Sequence, residues 1–285
     1  MLSRVRPALS NNQAFCSSLL GPGLKQLNIS GNTLEYVRLV SAHPRQDAPP
    51  MVFLHEGLGS ISMWRDFPQQ VADATGCEAI VYSRYGYGRS TALRNVPRDV
   101  RYMHDEALRD LPLLLDALEV GEHFLFGHSD GGSISLIHAG NAGRAVAGTI
   151  VLAPHVFVED VALENIELAG KAFENPETRL RERLGRHHND VDGVFWGWNR
   201  TWLSPAFRSW SIENYLPTIQ GPVLAIQGED DEYATMEQLD RIAAAAPDVD
   251  LVKLADCRHS PHKDQPAAVI EATASFIARI LDARD

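Results

Sequence analysis

Cysteine is scarce. Three are present, Cys16, Cys77 and Cys257, an odd number set far apart in 285 residues. That leaves no disulfide framework and no thiolate cluster for a metal, and it points to a reducing, cytoplasmic setting. Long hydrophobic runs are missing as well. No apolar stretch approaches the roughly 18 residues of a membrane span, so no membrane partner is expected. Positive charge is in deficit, with 26 Lys and Arg against 37 Asp and Glu and a formal net charge of −11. Such a chain matches neither a phosphate backbone nor an anionic lipid surface, so nucleic acid is not an expected partner either. Internal repeats and low-complexity tracts are also lacking.

What remains is an ordinary globular composition, 45% hydrophobic and 22% charged, long enough for one large α/β domain or two smaller ones. The first acid is Glu35, and Arg4 and Arg6 lie near the start, which faintly resembles a targeting peptide. The polar run from Ser10 to Gln13 breaks the apolar stretch that a secretory signal needs, so residues 1–23 read as an N-terminal extension.

From Leu24 to Val40 two alternating runs flank Gly31-Asn32, a hairpin signal. Short apolar runs then alternate with helical patterns. MVFL (51–54), AIVY (79–82), HFLF (123–126), TIVL (149–152), VLAI (223–226) and LVKL (251–254) read as buried strands. Helices are expected over 62–74, 103–118, 133–141, 235–246 and the C-terminal stretch, with Pro112 sitting awkwardly inside the second. This alternation predicts a parallel sheet covered on both faces. Between about Val156 and Thr218 no strand candidate occurs, and the segment reads as a helical insertion.

The strongest chemical signal is Gly127-His128-Ser129-Asp130-Gly131-Gly132, which follows a strand and opens a helix. G-x-S-x-G in that context is a nucleophile elbow, a turn so tight that the residues flanking the serine must be small. A hydroxyl needs a base, and His259 stands in the loop between the last strand and the last helix, at the strand edge where a parallel sheet carries its sites. His262 reads as a packing residue of the same loop, and the two histidines lack a third partner for a metal. An acid to orient the base comes from Glu229, Asp230, Asp231 and Glu232, which follow VLAI and lie between serine and histidine in chain order. Two backbone N–H groups are needed for an oxyanion. Asp130, after the nucleophile, supplies one, and Gly57 in the loop after MVFL supplies the other.

With these motifs in view, the chain resembles the α/β-hydrolase superfamily from about Leu24 to Leu281. LHEGLGS at 54–60, SRYGYGRS at 83–90, GHSDGG at 127–132, GEDD at 228–231 and CRHSPHKDQP at 257–266 occur in the family's order. The resemblance implies Ser129 as nucleophile, His259 as base and Asp231 as acid. It implies an α/β-hydrolase core over 24–155 and 219–285 and a helical cap over 156–218. One departure is Glu56, which stands where the family often has glycine after the first-loop histidine. Epoxide hydrolases and haloalkane dehalogenases use an aspartate nucleophile, and the serine here argues against both.

The expected activity is therefore serine-dependent hydrolysis of a small ester-like molecule, a carboxylic ester, with no cofactor and no metal. Carbon–carbon bond hydrolysis, perhydrolase, thioesterase or lactonase chemistry on the same residues are the alternatives within enzymes. A hydrolase-fold receptor with little turnover is the alternative from another class. Phe195, Trp196, Trp198, Trp202, Phe207 and Trp210 crowd one span of the insertion, either packing it onto the core or lining an apolar pocket.

Overall fold

The computed structural model describes residues 23–141 and 143–284. The extension expected at 1–23 lies, Gly23 apart, outside the described residues. The strands are β1 (Lys25–Ile29), β2 (Asn32–Leu39), β3 (Met51–Leu54), β4 (Ala79–Tyr82), β5 (His123–His128), β6 (Val146–Leu152), β7 (Val223–Gly228) and β8 (Val249–Leu254). They form one sheet in the order β1-β2-β4-β3-β5-β6-β7-β8. β1 and β2 make an antiparallel hairpin, β2 meets β4 antiparallel, and every other neighbouring pair is parallel. The fold is α/β, as expected.

The hairpin turn sits one residue earlier than Gly31-Asn32, because Ile29 pairs with Asn32. Ser30 (φ 50°) and Gly31 (φ 79°) form it, both left-handed as a type I′ turn requires, and its twist matches that of the strands.

The uniformly apolar strands serve two cores. Val52, Leu54 and Leu125 pack with Leu111, Leu115 and Ile134 on one face. Met51, Phe53 and Phe126 pack with Val71, Val269 and Phe276 on the other. Side chains alternate across the sheet, so a strand buried on both faces carries no polar position.

Two helices depart from expectation. The one expected over 62–74 is split into α1 (Ile61–Trp64) and α2 (Phe67–Thr75). Arg65 is left-handed (φ 55°) and Pro68 lies in the first turn of α2, so the chain must restart there. The stretch around Pro112 is α3 (Tyr102–Asp105), a π-helical turn (Glu106–Asp110) and α4 (Leu111–Ala117). The Leu111 N–H reaches back five residues to the Glu106 carbonyl, which places Pro112 in a first turn, where its missing N–H costs little.

The remaining helices are α5 (Asp130–Asn141), α6 (Asp160–Glu174), α7 (Leu180–Gly185), α8 (Val191–Trp202), α9 (Glu237–Ala245), α10 (Pro261–Asp264) and α11 (Pro266–Asp282). Three of them, α6 to α8, lie between β6 and β7, where the only pairing among the described residues outside named strands is an isolated bridge from Phe157 to Ser211. No helix among the described residues is long and apolar enough to cross a membrane.

Candidate active site

The C-terminal ends of β3, β5, β6, β7 and β8 open onto one cavity of about 190 Å³. Ser129 is set between β5 and α5 with φ 53°, a left-handed conformation that a side chain adopts only under constraint. Its neighbours show the constraint. A Cβ on Gly127 would lie 2.2 Å from the Gly131 carbonyl oxygen, and one on Gly131 would lie 2.1 Å from that of Leu54. The Ser129 N–H donates to the Leu152 carbonyl (2.9 Å), which locks the turn to β6.

Two further loops meet over the serine. A Cβ on Gly228, at the end of β7, would strike the Cys257 carbonyl at 2.0 Å, so the loop after β7 lies flush against the loop after β8. The N–H of Asp230 bonds that same carbonyl (3.0 Å), and the Glu232 carboxylate accepts the His259 backbone N–H (3.1 Å). Between these ties the His259 Nδ1–H donates to Asp231 Oδ1 at 2.8 Å. His259 Nε2 lies 3.0 Å from Ser129 Oγ. Of the four competing acids, Asp231 is the one brought onto the imidazole. Tyr233 supports it by donating its N–H to Asp231 Oδ1 (2.8 Å).

Burial pushes His259 down, but the Asp231 charge and hydrogen bond outweigh it and hold the imidazole above its ordinary 6.5. Burial would raise Asp231, yet His259 and the Tyr233 N–H keep it below the usual carboxylate range. The carboxylate is thus ionised and fixes the proton on Nδ1, leaving the Nε2 lone pair toward the serine.

Gly57 and Asp130, the expected oxyanion donors, both line the cavity beside Ser129. Glu56 lines it too. Burial would raise its carboxyl, but Lys263 (Nζ–Oε1 3.8 Å) and His128 (Nδ1–Oε2 3.6 Å) hold it well below the usual range. His262 packs between Trp64 and His128 (ring centroids 4.8 Å from each) and does not line the cavity.

The aromatic span of the insertion divides. Trp198 and Trp202 wall the cavity. Phe195 stacks on Phe173 (3.8 Å) and Phe207 on Trp210 (5.2 Å), within the insertion. Among the described residues no arginine lines the cavity; Arg181, Arg186 and Arg208 pair instead with Asp192, Glu182 and Asp160.

Sequence reasoning missed His155, which also lines the cavity and which burial drives down to about 3, so it is a neutral imidazole. Its signal was its place just past β6, at the same edge as the others. It also missed His188, whose Nδ1 accepts the Gly88 N–H (2.9 Å) and whose Nε2–H donates to the Leu58 carbonyl (2.9 Å). That ring pins the loop before α8 to the Gly57 loop. Among the described residues, no group of three or more His, Cys, Asp or Glu is disposed to hold a metal.

Sheet order, elbow and cavity edge define a class, and the sequence profile of the alpha/beta hydrolase family matches residues 51–272. The chain belongs to that family. It is similar to an sn-1-specific diacylglycerol lipase, ABHD11, of Danio rerio, at 23% identity over 81% of this chain and 79% of the relative. Among solved structures it resembles a putative lipase (lip1) from Acinetobacter baumannii (TM-score 0.74, 17% identity, 99% of this chain and 100% of the other). It also resembles the proline iminopeptidase of Mycobacterium smegmatis (TM-score 0.72, 19% identity, 92% and 100%). At those identities the two structures share the fold.

Proposed function

We propose that the protein is a serine hydrolase that cleaves small carboxylic esters through an acyl-enzyme. The observation that carries this reading is the chain of contacts from Asp231 through His259 to a strained Ser129, at 2.8 and 3.0 Å. His259 Nε2 takes the Ser129 proton as Oγ attacks the ester carbonyl. The N–H groups of Gly57 and Asp130 receive the developing oxyanion. The imidazolium, balanced by Asp231, returns its proton to the departing alkoxide, and the alcohol leaves. Water then repeats the sequence on the acyl-enzyme, releasing the acid and restoring Ser129.

Residues 156–218 act in this reading as the cap. Ile166, Leu184, Trp198 and Trp202 give the cavity an apolar wall, and among the described residues no arginine or lysine lines it to receive an anionic acyl group. An uncharged acyl chain is the substrate that suits such a wall. The lipase name of the Danio rerio relative is in keeping with an ester.

The test is labelling by a fluorophosphonate together with turnover of p-nitrophenyl esters, on the wild-type protein and on Ser129→Ala. Ser129-dependent labelling and an activity loss of about 10³-fold or more are expected. A variant that retains a third of the wild-type rate defeats the serine mechanism. Binding without turnover by the wild type returns the protein to the receptor class.

A further inference from the structure

Beneath the Gly57 loop lies Arg84, a guanidinium with no solvent exposure. A permanently charged group is costly to bury, and a purely structural position is served as well by an apolar side chain. Its contacts show what the charge is used for. Arg84 Nη2 donates to the carbonyl of Glu56 (3.0 Å) and to that of His55 (3.2 Å), and lies 4.0 Å from Asp130 Oδ2. The Arg84 backbone N–H donates to His55 Nε2 (3.1 Å). The proton of that ring therefore sits on Nδ1, which donates to the same Glu56 carbonyl (2.8 Å).

The Glu56 carbonyl is thus held by three donors, the Gly59 N–H of the same loop (3.0 Å) being the third, and Arg84 is the one that reaches it from another loop. The Glu56–Gly57 bond is trans, and in a trans peptide the N–H points opposite to the C=O. The Gly57 N–H consequently faces the cavity. The partner donor is tied to the same group, because the Asp130 carboxylate faces Arg84 and accepts the Tyr102 hydroxyl (2.6 Å).

We propose that Arg84 is the positioning residue of the oxyanion hole. One buried guanidinium orients the Gly57 peptide and couples it to Asp130, so that both N–H groups converge before substrate arrives. The inference rests on the serine-hydrolase reading and extends it to a residue that touches no substrate.

Arg84→Lys keeps the buried charge on a side chain one atom shorter, so its ammonium falls short of the place that Nη2 holds at the His55 and Glu56 carbonyls. Arg84→Met combined with Asp130→Asn removes both buried charges together and is compared with Asp130→Asn. It carries the same readouts should the lysine variant not fold. The expected result is a fall in kcat of about 10²-fold or more, the size of losing one oxyanion donor, with KM within about threefold. Affinity for a trifluoromethyl ketone, which places a charged oxygen in the hole, falls by the same factor as kcat. Affinity for the matching neutral methyl ketone holds. A crystal structure of the variant shows the Glu56 carbonyl turned toward the cavity. An unmoved peptide, unchanged kcat, or equal losses for the charged and neutral ligands overturns the proposal. A wild-type protein without Ser129-dependent turnover defeats the hydrolase reading instead, and the peptide orientation in the variant still decides the role of Arg84.

Discussion

The indole of Trp198 occupies the space that a side chain on Gly57 would need. A Cβ built there falls 2.4 Å from Trp198 Cδ1 and 2.5 Å from Nε1. Trp198 is buried and rigid, so it cannot yield as the end of a flexible side chain would. Gly57→Ala is therefore expected to displace either the indole or the oxyanion loop and to lower kcat by about 10²-fold. The double variant Gly57→Ala, Trp198→Ala recovers part of that loss. Steady-state kinetics on the four members of the cycle check this, and strictly additive losses would detach the two residues.

The pH profile follows from the raised pKa of His259. The base works unprotonated, so kcat/KM for an uncharged ester rises with pH through that raised value and then levels. Asp231→Asn removes the charge that raises it. The limb then moves to lower pH, while the plateau drops by about 10³- to 10⁴-fold. A limb that stays in place or moves upward in the variant would separate Asp231 from the base.

Neighbouring residues of the same type separate by role. His259→Ala is expected to abolish turnover, whereas His262→Ala, which removes a ring packed on Trp64, costs about 2 kcal/mol of stability and little kcat. Asp230 is exposed, and Asp230→Asn changes either quantity by less than about 0.5 kcal/mol. Urea denaturation and kinetics on each purified variant check both, and a reversed histidine ranking would overturn the assignment of the base.

The cavity wall predicts acyl preference. Each methylene buried against it contributes about 0.8 kcal/mol, or about fourfold in kcat/KM. A p-nitrophenyl series from acetate to hexanoate climbs until the cavity is full. Trp198→Ala flattens the climb more than it lowers the acetate rate. Equal loss at every chain length would make this tryptophan a packing residue only.

Much of this was legible in the chain. That Ser129, His259 and the Gly57 loop would meet could be read from the chain because each follows an apolar strand, and parallel strands deliver their loops to one edge. Choosing Asp231 among four acids needed the family pattern, since spacing alone treats its neighbours alike; the geometry that favours it is Gly228 lying against Cys257. The turn at Arg65 and the π-helical restart before Pro112 escaped a reading based on a 3.6-residue period. Which insertion aromatics face the cavity escaped too, because apolar spacing does not say which surface a helix meets. The role of Arg84 was not legible, since SRYGYGRS at 83–90 stands out as a motif but nothing in it says that this arginine is buried.

The contact between Gly131 and the Leu54 carbonyl joins the nucleophile's helix directly to the strand that carries the oxyanion loop. Main chain rests on main chain there, with no side chain between. Ser129 and the Gly57 loop are consequently held to one another by main chain, with only the tilt of the Gly57 peptide left to side chains such as Arg84 and Trp198, while Ile166 and Leu184 line the cavity without supporting either. On the hydrolase reading, a change at Ile166 or Leu184 would alter what the protein accepts and leave how it reacts in place.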